Sequence, residues 1–167
     1  MRVTAQFDLS AQPNRVIALL ADPALLEQAA GGEQKAGATV RHHEDGGFTL
    51  TVRRPVPLQD VPPAARAMAT DALELRQAIA WLPAGPDGSR DGTMAGEIAG
   101  APVYLEGTVH LAPSGSGSVL SIAGELTARV PLVGPAIEQA GARMVIKVIS
   151  DQVAALEQRL LGEGKPA

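Results

Sequence analysis

Residues 130–161 read VPLVGPAIEQAGARMVIKVISDQVAALEQRLL, and the fold depends most on this stretch. Pro131 and Pro135 end the preceding strand, and Pro135 suits the first position of a helix because no backbone N–H is needed there. The spacing that follows predicts an amphipathic helix from Pro135 to Leu161, about 40 Å long. A helix of that length crosses six or seven strands that lie about 4.8 Å apart. Its apolar stripe consists of Ile137, Met144, Val145, Val148, Ile149, Val153, Leu156 and Leu160.

Most of the chain before this helix alternates polar and apolar residues with a period of two, which predicts β-strands. The first strand carries Val3, Phe7 and Leu9 on one face. Two short helices are predicted after it, from Pro13 to Ala21 and from Asp22 to near Ala30. Six further strands are predicted over residues 38–44, 48–54, 72–82, 93–99, 102–111 and 120–130, with loops at 55–63 and 83–92 and a flexible hairpin tip at 113–118. The sequence therefore predicts one α+β domain, residues 1–167, in which a curved antiparallel sheet is closed by the long helix.

Composition narrows the functions that this domain can have. The net charge is −4 at pH 7 and the basic residues are scattered, which argues against a nucleic-acid interface. Aromatic residues make up 2% of the chain, so stacking platforms for bases or sugars are not expected. Because Cys is absent, neither a disulfide nor a zinc–thiolate site is expected. The chain has no apolar run of about 18 residues and no signal-peptide pattern, so we expect a cytoplasmic protein without a transmembrane segment.

Two short motifs resemble those of a known family. The first consists of Gly100, Pro102, Val103, Gly107, Thr108, Leu111 and Pro113, and the second is Val130-Pro131-Leu132-Val133-Gly134 followed by Ile137 and Glu138. Together with the order of elements, they resemble the mainly actinobacterial domain of unknown function 2505, a branch of the START-like (helix-grip, SRPBCC) superfamily. The resemblance implies a bent seven-stranded antiparallel sheet wrapped around the C-terminal helix, with an apolar cavity between them. The superfamily includes lipid carriers, plant hormone binders and polyketide cyclases, so the fold alone does not choose an activity.

The sheet face that would meet the helix is almost wholly apolar, which is typical of a small-ligand site. Gly96, Gly107 and Gly124 interrupt this face, and Gly141 interrupts the apolar face of the helix. Such glycines either allow bending and close backbone approach or leave volume for a ligand, and the sequence leaves both readings open. We expect the site to be lined by His42, Phe48, Leu50, Leu75, Gln77, Ile79, Trp81, Gly107, Gly124, Gly141, Met144 and Val148.

Few polar residues fall in phase with this face. His42 and Gln77 do, and each would need hydrogen bonds from a ligand, the backbone or water. Arg54 is also in phase and is expected at the rim of the sheet. His42 and His43 are neighbours on a strand and therefore point to opposite faces, so we expect no metal site and no cofactor.

These features favour a non-catalytic binder or carrier of a small hydrophobic molecule, lipid-like or polyketide-like. One alternative is an enzyme of the cyclase or aromatase type, which needs an acid or base in the pocket, and His42 and Gln77 are the candidates for it. The other alternative is a partner-binding module that uses an exposed apolar patch, either the proline-rich segment 55–63 or the Leu132–Val133 junction. The sequence does not indicate an oligomeric state.

Overall fold

The computed structural model of the protein describes residues 1–25, 37–56, 59, 61, 63–66 and 73–163. These ranges form a seven-stranded antiparallel sheet with a long C-terminal helix, which confirms the predicted α+β helix-grip architecture. A helical turn over residues 23–25 begins where the second short helix is predicted, and the rest of that helix lies outside the described residues. The elements are β1 (Arg2–Leu9), α1 (Pro13–Leu20), β2 (Gly37–His42), β3 (Phe48–Pro55), α2 (Pro63–Arg66), β4 (Glu74–Trp81), β5 (Arg90–Ala99), β6 (Val103–Ser114), β7 (Gly117–Ala128) and α3 (Gly134–Glu163).

The order of strands in the sheet is β1-β7-β6-β5-β4-β3-β2, so β1 and β2 form its two edges. The helix α3 packs mainly on β7, β1 and α1, close to one edge. The apolar stripe of α3 contributes Ile149, Leu156 and Leu160 to the buried core, as the helical spacing predicts. The strands from β3 to β6 face α3 across a gap, and this gap positions the site described below. No helix in the described ranges is both long and apolar enough to cross a lipid bilayer.

β5 begins at Arg90, earlier than the predicted start at residue 93, because its pairing with β4 continues into the predicted loop. Trp81 is paired with Gly92, and the backbone N–H of Leu82 donates to the carbonyl of Asp91 at 2.8 Å. Gly92 is needed for close approach within the sheet, since a Cβ there would lie 2.7 Å from the carbonyl oxygen of Ala80. The glycine that indicates a turn in the sequence is thus a packing residue inside a strand.

The hairpin between β6 and β7 is shorter than predicted, with Ser114 paired to Gly117 across a two-residue turn. Gly115 occupies the first central position with φ of 57°, which is typical of a type II′ turn. The Ser118 hydroxyl donates to the Ala11 carbonyl at 2.7 Å, and the Gln12 side chain donates to the Gly115 carbonyl at 2.8 Å. These bonds fix the turn against the segment before α1, where the sequence predicts a flexible tip.

The corner between β7 and α3 is tight. The Val133 N–H donates to the Pro131 carbonyl at 2.9 Å, and Leu132 between them has φ of 67°. This is the pattern of a classic γ-turn, which is rare and strained for a residue with a side chain. One turn into α3, the Glu138 carboxylate accepts a hydrogen bond from the Ala128 N–H at 3.0 Å, and this bond lowers the pKa of Glu138.

Candidate ligand-binding site

A cavity of about 60 Å³, which we call the outer cavity, lies between the first half of α3 and strands β3 to β7. Apolar side chains form most of its wall. Tyr104, which is 40% exposed, and Glu97, whose side chain is 46% exposed, place one side of it near solvent. Its lining residues are Arg54, Leu75, Gln77, Met94, Gly96, Glu97, Ile98, Val103, Tyr104, Leu105, Leu126, Gly141, Met144, Val145, Val148 and Ile149.

A second cavity of about 70 Å³, which we call the inner cavity, lies deeper, under the second half of α3 and beside the end of α1. Most of the described residues that line it are buried, and none of these described residues is ionisable. Its lining residues are Leu20, Leu25, Leu50, Val52, Gln77, Ile79, Trp81, Met94, Val109, Leu120, Ile122, Ile149, Gln152, Val153 and Leu156.

The two cavities adjoin each other, because Gln77, Met94 and Ile149 line both of them. Met94 is 4% exposed and belongs to β5, and Ile149 is 7% exposed and belongs to α3. Methionine is unbranched and has three rotatable side-chain bonds, so it changes shape more readily than isoleucine. A rotamer change of Met94 is therefore the simplest way to join the two volumes.

Three polar side chains in the wall of the inner cavity lack hydrogen bonds to the described residues. Trp81 is 3% exposed, and its indole Nε1 is buried without a partner. Gln77 on β4 and Gln152 on α3 are half-buried, and their amides have no hydrogen-bond partner in the part of the chain that the structure describes. Buried donors and acceptors are nearly always paired in folded proteins, so the buried indole N–H of Trp81 is a candidate donor to a polar ligand atom.

Most of the residues predicted for the site lie in the walls of these cavities. Leu75, Gly141, Met144 and Val148 line the outer cavity, Leu50, Ile79 and Trp81 line the inner cavity, and Gln77 lines both. His42, Phe48, Gly107 and Gly124 line neither of them.

His42 and Phe48 lie too far along the sheet. β2 is the edge strand opposite to the edge that α3 covers, and His42 is its last residue. The His42 side chain is exposed and its ring lies 6.1 Å from that of Phe48, which is itself buried in the core. The face that the alternation assigns to His42 is therefore correct, but the helix does not reach it.

Gly107 and Gly124 are opposite each other on β6 and β7, where the two backbones come close together. A Cβ on Gly107 would lie within van der Waals overlap of the Ala123 carbonyl oxygen, and one on Gly124 would lie 2.9 Å from that of Glu106. A Cβ on Gly141 would lie 2.7 Å from Leu126 Cδ2, which reflects close contact between α3 and β7. Of the four glycines, Gly96 alone has only ordinary contact distances around its missing Cβ, the shortest being 3.6 Å to Leu105 Cβ. Close approach thus explains the other three.

Among the wall residues that the predicted site does not include, three matter most for the argument: Met94, Ile149 and Gln152. The first two are recognisable from the sequence as inward-facing, but nothing in the sequence indicates that they separate two cavities. Gln152 could have been found, because it lies one helical turn after Val148 and so shares its face of α3.

In the described part of the chain, three charged groups have displaced pKa values, Glu138, Asp87 and Arg76, and none of them lines either cavity. A hydrogen bond from the Ser89 hydroxyl lowers the pKa of Asp87 in an exposed turn, and a hydrogen bond with Glu74 raises the pKa of Arg76 on the outer face of the sheet. No group of three or more His, Asp or Glu in the described ranges is arranged to hold a metal ion. Catalytic sites usually concentrate groups with displaced pKa values, and the cavity walls hold none of these three shifted groups.

A larger depression of about 500 Å³ lies on the outer face of β6 and β7. It is open and charged, with Glu106 directly opposite Glu125 and with the Arg129 guanidinium 5.6 Å from the Tyr104 ring. The apolar lining of the two cavities under α3 is typical of a small-molecule site, and the charged lining of this outer depression is not.

Residues 3–160 match the model of a family described as a protein of unknown function, DUF2505. No curated protein matches the sequence. A START superfamily protein from Mycobacterium smegmatis is similar in structure, with a TM-score of 0.59 and 15% identity over 95% of this chain and 98% of that one. The STAR-related lipid transfer protein of Xanthomonas axonopodis (fragment 25–204) has a TM-score of 0.60 and 13% identity over 94% and 84% of the two chains. The Zhui aromatase/cyclase of Streptomyces sp. R1128 has a TM-score of 0.57 and 12% identity over 95% and 92%. At these identities the likeness shows a shared fold.

Proposed function

The chain belongs to the DUF2505 family, whose description names no activity, and we propose that it binds a small, mainly apolar molecule between its sheet and α3 without transforming it. The observation that carries this proposal is the adjoining pair of cavities with the shared wall of Gln77, Met94 and Ile149. Nearly all of the lining is apolar, and burial of apolar ligand surface is favourable by about 25 cal/mol per Å². One structural neighbour is named as a lipid transfer protein, and cargo of that kind suits such a lining.

The size of the cavities limits the ligand. At about 60 and 70 Å³, each is much smaller than the roughly 300 Å³ of the smallest ordinary ligand pockets. Met94 and Met144 are the wall residues that can move most easily, so the bound state is expected to displace one or both of them. The ligand is therefore a small molecule, or one end of a longer apolar chain.

Neither of the two catalytic candidates from the sequence, His42 and Gln77, supports an enzyme of the cyclase type. Acid or base catalysis requires a titratable group within hydrogen-bonding reach of the substrate. His42 is exposed at the far edge of the sheet, and Gln77, which lines the cavities, is not titratable. The likeness to an aromatase/cyclase is a likeness of fold.

Filling the outer cavity tests the proposal. Gly96→Leu introduces a side chain at the described wall glycine whose added Cβ would make only ordinary van der Waals contacts, so we expect it to reduce the bound ligand at least tenfold. The matched control is Ala95→Leu, which places the same side chain on the exposed outer face of the same strand. Native mass spectrometry of protein purified from its own host, followed by solvent extraction, measures the bound molecule in each variant.

The proposal predicts ligand in the wild type and in Ala95→Leu, and little in Gly96→Leu. Wild-type protein that carries no small molecule from its host, and whose NMR spectrum does not respond to added hexane, would contradict it. Equal loading of the two variants would place the ligand elsewhere.

A further inference from the structure

We propose that the ligand is uncharged and carries a hydrogen-bond acceptor, such as a carbonyl or ether oxygen, that accepts a hydrogen bond from the indole N–H of Trp81 in the inner cavity. This inference rests on the proposed function and specifies the chemical class of ligand that the same site takes.

The first argument is the unpaired donor. Trp81 is 3% exposed and lines the inner cavity, and its Nε1 is buried without an acceptor among the described residues. A buried N–H without a partner is costly, so native proteins rarely keep one without a reason. The residues beside Trp81 in the register are Phe48 on β3 and Gly92 on β5, and neither has a side-chain acceptor.

The second argument is the distance between the polar groups of the cavity wall. Gln77 and Trp81 lie on the same face of β4, four residues apart, which is about 13 Å along an extended strand. The Gln77 amide therefore cannot be the partner that Trp81 lacks. Gln77 lies where the two cavities adjoin, and Gln152 lies on α3, so Trp81 is the donor that the sheet presents to the part of the inner cavity away from this junction.

The third argument is charge. None of the described residues that line the inner cavity is ionisable, whereas Arg54 and Glu97 line the outer cavity. A carboxylate or ammonium group in the inner cavity would be buried without a counter-ion, which is strongly unfavourable. A neutral acceptor gains the indole hydrogen bond without this penalty.

The arrangement also orients the ligand. Its acceptor end occupies the inner cavity, and its apolar remainder extends past Met94 into the outer cavity, whose wall includes partly exposed residues. A molecule with a polar group at one end and an uninterrupted hydrocarbon tail fits this order.

Three six-carbon probes test the inference: 2-hexanone, hexane and sodium hexanoate. The protein has a single Trp, so its spectrum contains one indole N–H signal and this signal reports on Trp81 alone. We expect 2-hexanone to bind about two- to tenfold more tightly than hexane, which is the range of one net hydrogen bond. We also expect 2-hexanone, but not hexane, to move the indole N–H resonance downfield, and hexanoate to bind more weakly than either.

Trp81→Phe and Gln77→Leu locate the donor. The preference for 2-hexanone over hexane, measured from the shifts of methionine methyl signals, is expected to disappear in Trp81→Phe and to persist in Gln77→Leu. If Trp81→Phe does not fold, the indole shift in the wild type still decides the question. Equal affinity for 2-hexanone and hexane, tighter binding of hexanoate, or loss of the preference only in Gln77→Leu would overturn the inference and leave the proposed function standing. Failure of both hexane and 2-hexanone to bind would instead remove the proposed function.

Discussion

At the scale of single residues, Leu132 combines two unfavourable properties. Its side chain is 101% exposed, and its backbone has the positive φ of a γ-turn. A left-handed conformation costs a residue with a side chain about 1–2 kcal/mol. Glycine adopts this conformation freely, but because it is more flexible in the unfolded chain, ordering it on folding costs about 0.5–1 kcal/mol more. We therefore expect Leu132→Gly to raise the free energy of unfolding by about 0.5–1 kcal/mol, measured by urea denaturation.

The matched control is Leu82→Gly. Leu82 is also exposed, at 57%, but it is not among the residues with positive φ. The same change there relieves no strain, so the free energy of unfolding should fall by about 0.5–1 kcal/mol. A loss of stability in both variants would mean that the γ-turn at Leu132 carries no strain.

At the scale of elements, Glu138 joins α3 to the end of β7. Its carboxylate accepts the Ala128 N–H at 3.0 Å, and this bond holds its pKa below the usual value of 4.5. Because the folded pKa is the lower one, the ionised carboxylate stabilises the fold above about pH 4.5, and this contribution is lost as the pH falls through the lowered pKa. We expect Glu138→Gln to be less stable than the wild type at pH 7, with the difference shrinking below pH 4.5 in urea titrations.

Glu44→Gln removes the same charge from an exposed position in the turn between β2 and β3 and serves as the control. Its stability relative to the wild type should change much less between pH 7 and pH 3. A difference for Glu138→Gln that stays constant over this range would show that the carboxylate acts through shape rather than through its charge.

Element boundaries show what periodicity can and cannot predict. The alternation in β1 and the helical spacing in α3 predict the ends of both elements to within about two residues. These patterns are clear because each element buries one face. Gly92 and Gly117 were assigned to loops, yet both lie in strands, since each allows a neighbouring backbone to come close. Glycine indicates a turn and a close approach equally well, and the sequence alone does not distinguish the two.

At the scale of the whole molecule, the sequence predicts faces better than distances. Leu50, Gln77, Ile79 and Trp81 face the cavities as expected, because the phase of a strand fixes its side. His42 has the right phase but lies on the edge strand farthest from α3. The edge of the sheet that the helix covers depends partly on its contacts with β1 and α1, which lie more than a hundred positions earlier, and no local pattern records these contacts.

The wall between the cavities gives the last prediction. Met94→Ala removes a buried side chain and should join the two volumes, at a cost of about 2–5 kcal/mol in the free energy of unfolding. An apolar ligand that binds only the folded state restores stability in proportion to its affinity, so hexane should raise the melting temperature of this variant more than that of the wild type. Met144→Ala is the control, because Met144 is half-buried and lines the outer cavity alone. It should lose less stability and gain little from hexane, since the wall at Met94 remains. If hexane stabilised the two variants equally, the cavities would already be continuous in the wild type, and Met94 would not separate them.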